Sequence, residues 1–129
     1  MSSYSFNDKS GILETKYTGV LKIEGIIFHY TRINNDDSLP RDLKVLIDCR
    51  GVQMDLKVDE ISLSYDAVRR ALLSYNYIKE AILVDKPHET VVAMMFEKDH
   101  SDFDSYSFRV FSTEKAARNW LVQDSLKVF

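Results

Sequence analysis

Lys44 to Asp55 reads KVLIDCRGVQMD, and this stretch restricts the possible folds more than any other part of the chain. Val45, Leu46 and Ile47 form a short apolar run closed by Asp48. The turn Cys49-Arg50-Gly51 follows, and Asp55 stands just ahead of a helical pattern. An uninterrupted apolar strand belongs where helices cover both faces of a parallel sheet, because both of its faces must be kept from water. Open α/β sheets place ligands at the carboxyl ends of their strands. The stretch therefore marks a fold class and the rim where function is expected.

The rest of the chain supplies the elements such a sheet needs. Tyr4-Ser5-Phe6 and Ile12 to Tyr17, joined by the turn-rich Asn7 to Gly11, predict an N-terminal hairpin. Leu13, Thr15 and Tyr17 fall on one face of the second strand, Glu14 and Lys16 on the other, and Gly19 breaks it. Ile23, Ile26, Ile27, Tyr30 and Ile33 recur at helical spacing. That helix ends in the polar loop Asn34 to Pro40. After the opening strand comes a helix with Ile61, Tyr65, Val68, Leu72 and Tyr75 on one face, Asp59 as its expected cap and Glu60 in its first turn. Glu80 to Asp85 (EAILVD) repeats the apolar run closed by Asp. Pro87 opens a third helix whose wide apolar face, Val91, Val92, Met94, Met95 and Phe96, is expected to be largely buried. Asp99 to Ser105 reads as a loop and Ser107 to Phe111 as a last strand. Ser112 is the expected cap of a final helix with Ala117, Trp120 and Leu121 facing inward. The tail 122–129 is read as an edge strand or a mobile end.

Strands alternating with helices of this length imply right-handed crossovers. The expected fold is α/β: a mixed, mostly parallel sheet of about five strands with four helices, carrying an N-terminal hairpin or antiparallel edge strand. One domain over 1–129, with a core of about 10–121, suits a chain of 129 residues.

Composition narrows the function classes. The chain is 45% hydrophobic with four Gly and two Pro, enough for a full core. Its net charge of −3 and lack of clustered Lys and Arg argue against nucleic-acid binding. Cys49 is the only cysteine, which excludes an intramolecular disulfide and a cysteine-based zinc site. The opening MSSYSFNDKSG has no signal-peptide pattern, and no apolar run approaches the ~20 residues of a membrane span. A cytoplasmic protein is expected.

Three stretches, in this order along the chain, carry a resemblance. They are Tyr17-Thr18-Gly19 ahead of the first helix, Val45 to Val52 (VLIDCRGV), and Val110 to Leu121 (VFSTEKAARNWL). Together they resemble the STAS domain (sulfate transporter and anti-sigma factor antagonist), and more closely the small stand-alone bacterial SpoIIAA-like group. The resemblance spans roughly Ser10 to Leu121. It implies the fold above and a binding or regulatory role. Anti-sigma-factor antagonists carry a phosphorylatable Ser directly after the Asp of this loop. Here Asp55 is followed by Leu56-Lys57-Val58, so the switch hydroxyl is missing. Ser62 and Ser64 lie nearby, inside the expected helix.

The chemical candidates are few. Asp48 and Asp85 both close buried strands, and two such acids can hold Mg²⁺ for phosphoryl transfer. No Gly-rich phosphate loop accompanies them, and Arg50 and Lys86 lie beside them, so turn-capping is the expected role of both. His29, His88 and His100 have no metal-ligand spacing and are expected at or near the surface. Arg50 next to Cys49 suggests a reactive thiol, but without a His partner an inert, buried cysteine is expected.

These readings lead to a non-enzymatic, STAS-like module that binds an unidentified protein partner, or a second copy of itself, and needs no cofactor. Its candidate binding loop is Asp48, Cys49, Arg50, Gly51, Asp55, Lys57 and Asp59, with Tyr75 and Tyr77 nearby as partner-surface candidates. Two alternatives stand beside it. One is a carrier or sensor of a small apolar, lipid-like ligand held by Ile27, Tyr30, Met94, Met95 and Phe96. The other is an Mg²⁺-dependent phosphoryl-transfer enzyme.

Overall fold

The hairpin forms as expected. In the computed structural model, which describes residues 2–123, strand β1 (Ser2–Asn7) pairs antiparallel with β2 (Ile12–Tyr17), Phe6 opposite Leu13. The Asn7 side chain accepts the Lys9 and Ser10 amides and so closes the turn locally. After Gly19, at φ +79°, the two-residue strand β3 (Val20–Leu21) leads into helix α1 (Ile23–Asn34). Strand β4 (Asp42–Asp48) follows, then the two-residue β5 (Gln53–Met54), which pairs parallel with β3.

A 3₁₀ segment, Val58–Ser64, then precedes helix α2 (Tyr65–Leu72). The single helix expected here is therefore in two parts. Its start is held by Glu60, whose carboxylate accepts the Lys57 amide at 2.8 Å, so Lys57 occupies the capping position expected for Asp59. Next come strand β6 (Tyr77–Leu83), helix α3 (Pro87–Asp99) with its predicted Pro start, strand β7 (Tyr106–Phe111) and helix α4 (Glu114–Val122). Thr113, one residue beyond the expected Ser112, caps α4: its hydroxyl accepts the Ala116 amide. Val122 is helical, and the tail expected as an edge strand or a mobile end otherwise falls mostly on 124–129, outside the described residues.

The main sheet has the order β1-β2-β4-β6-β7, with one antiparallel pair and three parallel ones. This is the α/β fold read from the sequence: a five-stranded mixed sheet with four α-helices. Because side chains alternate across a strand, each central strand feeds two cores. Val45, Ile47, Ile78 and Ile82 face Tyr30, Ile33, Ile61, Val68, Val92 and Phe96 of α1, the 3₁₀ segment, α2 and α3. Leu46, Ala81 and Leu83 face Ala117, Trp120 and Leu121 of α4. Each of these large apolar side chains contributes about 1.5–3 kcal/mol by leaving water.

Two charged residues enter the central strand that the apolar pattern began only at Glu80. The Lys79 ammonium donates to the carbonyls of Trp120 (2.6 Å) and Gln123 (2.8 Å) and lies 4.5 Å from the Trp120 ring centroid. It thus neutralises the exposed carbonyls at the C-terminus of α4, where a cation is favoured. Glu80 points to the other core.

Candidate functional site

The loop after β4 is built around Asp48. Its carboxylate accepts the Arg50 amide (3.0 Å) and both Nε (3.0 Å) and Nη2 (2.9 Å) of the Arg50 guanidinium, while Lys16 Nζ approaches to 3.2 Å. The Arg50 guanidinium beside it, helped by Lys16, holds the Asp48 carboxyl well below the usual carboxylate range. Arg50 continues to Glu114, and Glu114 to Arg118, which reaches Glu14. Charges from β2, the loop and α4 thereby form one network. Gly51, at φ +79°, makes the reversal that a side chain would strain, and its amide donates to Asp85 at 3.0 Å. Asp48 and Asp85 do reach one rim, as neighbouring strands β4 and β6 require. Each is engaged there by internal donors.

Cys49 is buried under this turn, and burial together with neighbouring Asp48 pushes its thiol up to about 12. Its burial is as expected. Asp55, Lys57 and Asp59 are exposed along the segment that follows. Leu56 is only half-exposed and turned toward the core. Ser64 is fully buried and hydrogen-bonds to His100, so it is sealed from solvent.

From Met54 to Leu63 the side chains divide in two. Met54, Leu56 and Ile61 look inward, whereas Val58 (72% exposed) and Leu63 (58%) look out. Leu63 forms one wall of a groove of about 150 Å³ between α1 and α2, with Ile27, Thr31, Asn34, Asp66, Ala67 and Arg70. Its lining mixes apolar Ile27, Leu63 and Ala67 with polar Thr31 and Asn34, and Asp66 and Arg70 form an ion pair there (2.9 Å).

The five apolar candidates separate. Ile27 borders this groove. Tyr30 and Phe96 stack with ring centroids 6.3 Å apart inside the core. Met95 is half-buried against the same core, and Met94, with Val91, is exposed, contrary to the wide buried face expected of α3. The residues of α3 that are buried are Glu89, Val92, Ala93, Phe96 and the adjoining His100. That is the true helical spacing of i, i+3, i+4, i+7 and i+11. Tyr75 is also buried, its hydroxyl donating to the Ile33 carbonyl, so it is not a partner-surface residue.

Sequence reasoning missed a polar cluster beneath α1. Glu80 is completely buried, and its Oε1 accepts the hydroxyls of Tyr30 (2.6 Å) and Tyr106 (2.7 Å). The two phenol oxygens are themselves 2.7 Å apart, and His29 Nε2 lies 2.9 Å from Oε2. Burial, then the Glu80 charge, drives both phenols well above their ordinary pKa. His29 and His100, expected near the surface, are both buried; His100 is held below the ordinary imidazole pKa by that burial. A signal existed for each. His29 stands three residues after Ile26 and four before Ile33, on the buried stripe, and His100 stands four after Phe96. Among the described residues no three His, Cys, Asp or Glu side chains are grouped to hold a metal ion. No described helix is long and apolar enough to cross a membrane.

Compared with protein-family models, with curated proteins and with solved structures, the chain matches none of them.

Proposed function

We propose that this chain is a non-enzymatic binding module of the STAS-like type, docking a protein partner on the face formed by the 3₁₀ segment and the α1–α2 groove. The observation that carries this reading is the outward display of two large apolar side chains on the 3₁₀ segment, Val58 and Leu63, the second of which lines the α1–α2 groove with Ile27 and Ala67. Large apolar side chains on a rigid element, rimmed by charge, are what a protein interface uses. The rim carboxylates support the same choice. A phosphoryl-transfer role for Asp48 and Asp85 requires them to be available, and both are engaged by Arg50, Lys16 and the Gly51 amide. Leu56 in place of the switch serine makes the docking constitutive and independent of phosphorylation at that position.

The test is comparative capture from the host cell with three baits: the wild type, Leu63→Asp and Leu73→Asp. Leu73 is the most exposed large apolar residue among the described residues and does not border the groove. A partner retained by Leu73→Asp and lost by Leu63→Asp, with both variants melting like the wild type, supports the reading. Equal retention by all three baits rejects it.

A further inference from the structure

His100 ties α3 to the docking segment. It is buried just past the last residue of α3, and its ring stacks on Phe96 with centroids 3.9 Å apart. Nδ1 lies 2.9 Å from the Phe96 carbonyl, and Nε2 lies 3.1 Å from the Ser64 hydroxyl oxygen. Ser64 is itself fully buried and closes the 3₁₀ segment, and its hydroxyl is also 2.8 Å from the Ile61 carbonyl.

The number of hydrogens decides what this row of contacts can do. A carbonyl only accepts, so Nδ1 carries a hydrogen in every state and the neutral ring is bare at Nε2. The neutral row then holds two hydrogens, one on Nδ1 and one on Ser64, for three contacts. The Ser64 hydroxyl must serve either Nε2 or Ile61. A proton on Nε2 supplies the missing hydrogen: Nε2–H donates to the Ser64 oxygen, and the hydroxyl turns fully to Ile61. The row is complete only with the imidazolium.

Burial opposes that charge and holds the imidazole below its ordinary pKa. The groups around the ring mostly favour it. Asp99 of α3 places Oδ2 3.6 Å from Nδ1, and Glu80 of β6 and Asp102 of the loop after α3 add negative potential. Tyr65 of α2 and Tyr106 of β7 pack about the ring, and their hydroxyls are given to Asp102 and Glu80. Glu97 and Arg109 share the groove that His100 borders, and Arg109 is the one cation among these groups.

We propose that His100 and Ser64 form a proton-operated latch: as pH falls, the Ser64 hydroxyl passes from His100 to the Ile61 carbonyl, tightens the 3₁₀ turn that carries Leu63 and strengthens docking there. An ordered turn loses less freedom on binding, so the tightened form is the better docking surface. The latch belongs to the free chain, whereas its effect on docking rests on the function proposed above. Docking that needs no phosphate is then graded by pH.

NMR titration of the labelled full-length chain tests the latch without a partner. Above the His100 midpoint the ring should show Nδ1 protonated and Nε2 bare, and the amides of 61–65 should shift with the midpoint of the ring. Ser64→Ala removes the oxygen that receives Nε2–H. His100 should then bind its proton about 3- to 10-fold less tightly, the effect of one hydrogen bond. The reverse tautomer overturns the latch, as do amides of 61–65 that ignore the His100 midpoint, or a ring that stays neutral until the chain unfolds. An unchanged midpoint in Ser64→Ala overturns it as well; if that variant does not fold, the wild-type results decide. The coupling to docking is read by capture from the host cell at one pH above the measured midpoint and one below it. Capture by the wild type should rise below the midpoint. His100→Phe, which leaves the hydroxyl to Ile61, should capture strongly at both. Equal capture by the wild type at the two pH values overturns the coupling. No capture by either bait at either pH rejects the docking reading alone, and the titration still decides the latch.

Discussion

Removing the Tyr30 hydroxyl gives the sharpest test of the buried cluster. Tyr30→Phe keeps the ring that stacks on Phe96 and leaves no void larger than the lost oxygen. What disappears is a 2.6 Å hydrogen bond to a carboxyl with no access to water. A hydrogen bond to such a group is worth about 1.5–3 kcal/mol. The lower end applies to the single variant, because Tyr106 still donates to the same Oε1 at 2.7 Å. Tyr106→Phe should behave alike, for the symmetric reason. The double variant strips Oε1 of both phenols, so its cost should exceed the sum of the singles by about 1 kcal/mol or more. In a chain of 129 residues each kcal/mol lowers Tm by roughly 3–5 °C, between the values for smaller and larger domains. Urea unfolding read by circular dichroism, with Cm and m fitted for the four proteins, supplies the cycle. Tyr65→Phe is the control: its bond to Asp102 is on the surface, and its Cm should stay close to that of the wild type. Single variants within 0.5 kcal/mol of wild type, or strict additivity, would refute the picture of Glu80 held jointly by two phenols.

Three further outcomes follow from the electrostatics. The Asp48 carboxyl is held low by Arg50, so its ionic contribution is present above an unfolded pKa of ~3.9 and fades as pH falls through the lower folded value. Asp48→Asn should therefore cost roughly 1 kcal/mol at pH 6, allowing for solvent around the 40%-exposed Arg50, and progressively less as pH falls from 4 to 2; a pH-independent difference contradicts this. His100 is kept neutral by burial, so the unfolded chain binds its proton first and stability drops as pH falls below ~6.5 toward the folded value. An NMR titration should place its midpoint below 6.5, and a midpoint above that value rejects the assignment. The Cys49 thiol, pushed up to about 12 and buried, should resist thiol reagents at pH 8 in the native protein and react fully in denaturant; rapid native labelling would show that the strand end is open.

The sheet was legible because its central strands are written as uninterrupted apolar runs. Val45 to Ile47 and Ala81 to Val84 admit few readings other than buried strands, and the turn residues around Asn7 to Gly11 signal the hairpin. What escaped were the places where tertiary contacts override local pattern. Nothing in the local pattern marks the side chains of Lys79 and Glu80 as buried. They are buried because α4 offers free carbonyls to one and α1 and β7 offer phenols to the other. The two-residue strands β3 and β5 are too short to have a period. The 3₁₀ segment carries helix-like spacing, so Ile61 was read correctly as buried while the backbone type was not. Within the candidate site, the turn at Asp48 to Gly51 was visible from residue types alone. The groove was not, since it arises where residues of α1, the 3₁₀ segment and α2 converge.

The central claim is that the outer face of the 3₁₀ segment with the α1–α2 groove is where a partner docks. Hydrogen–deuterium exchange of the chain, free and bound to the partner recovered by the wild-type bait, tests it most directly. Protection on binding should concentrate at 57–67 and at 27–34, with β1 and α4 unchanged. Protection confined to β1 or α4, with 57–67 exchanging as in the free chain, would contradict the account.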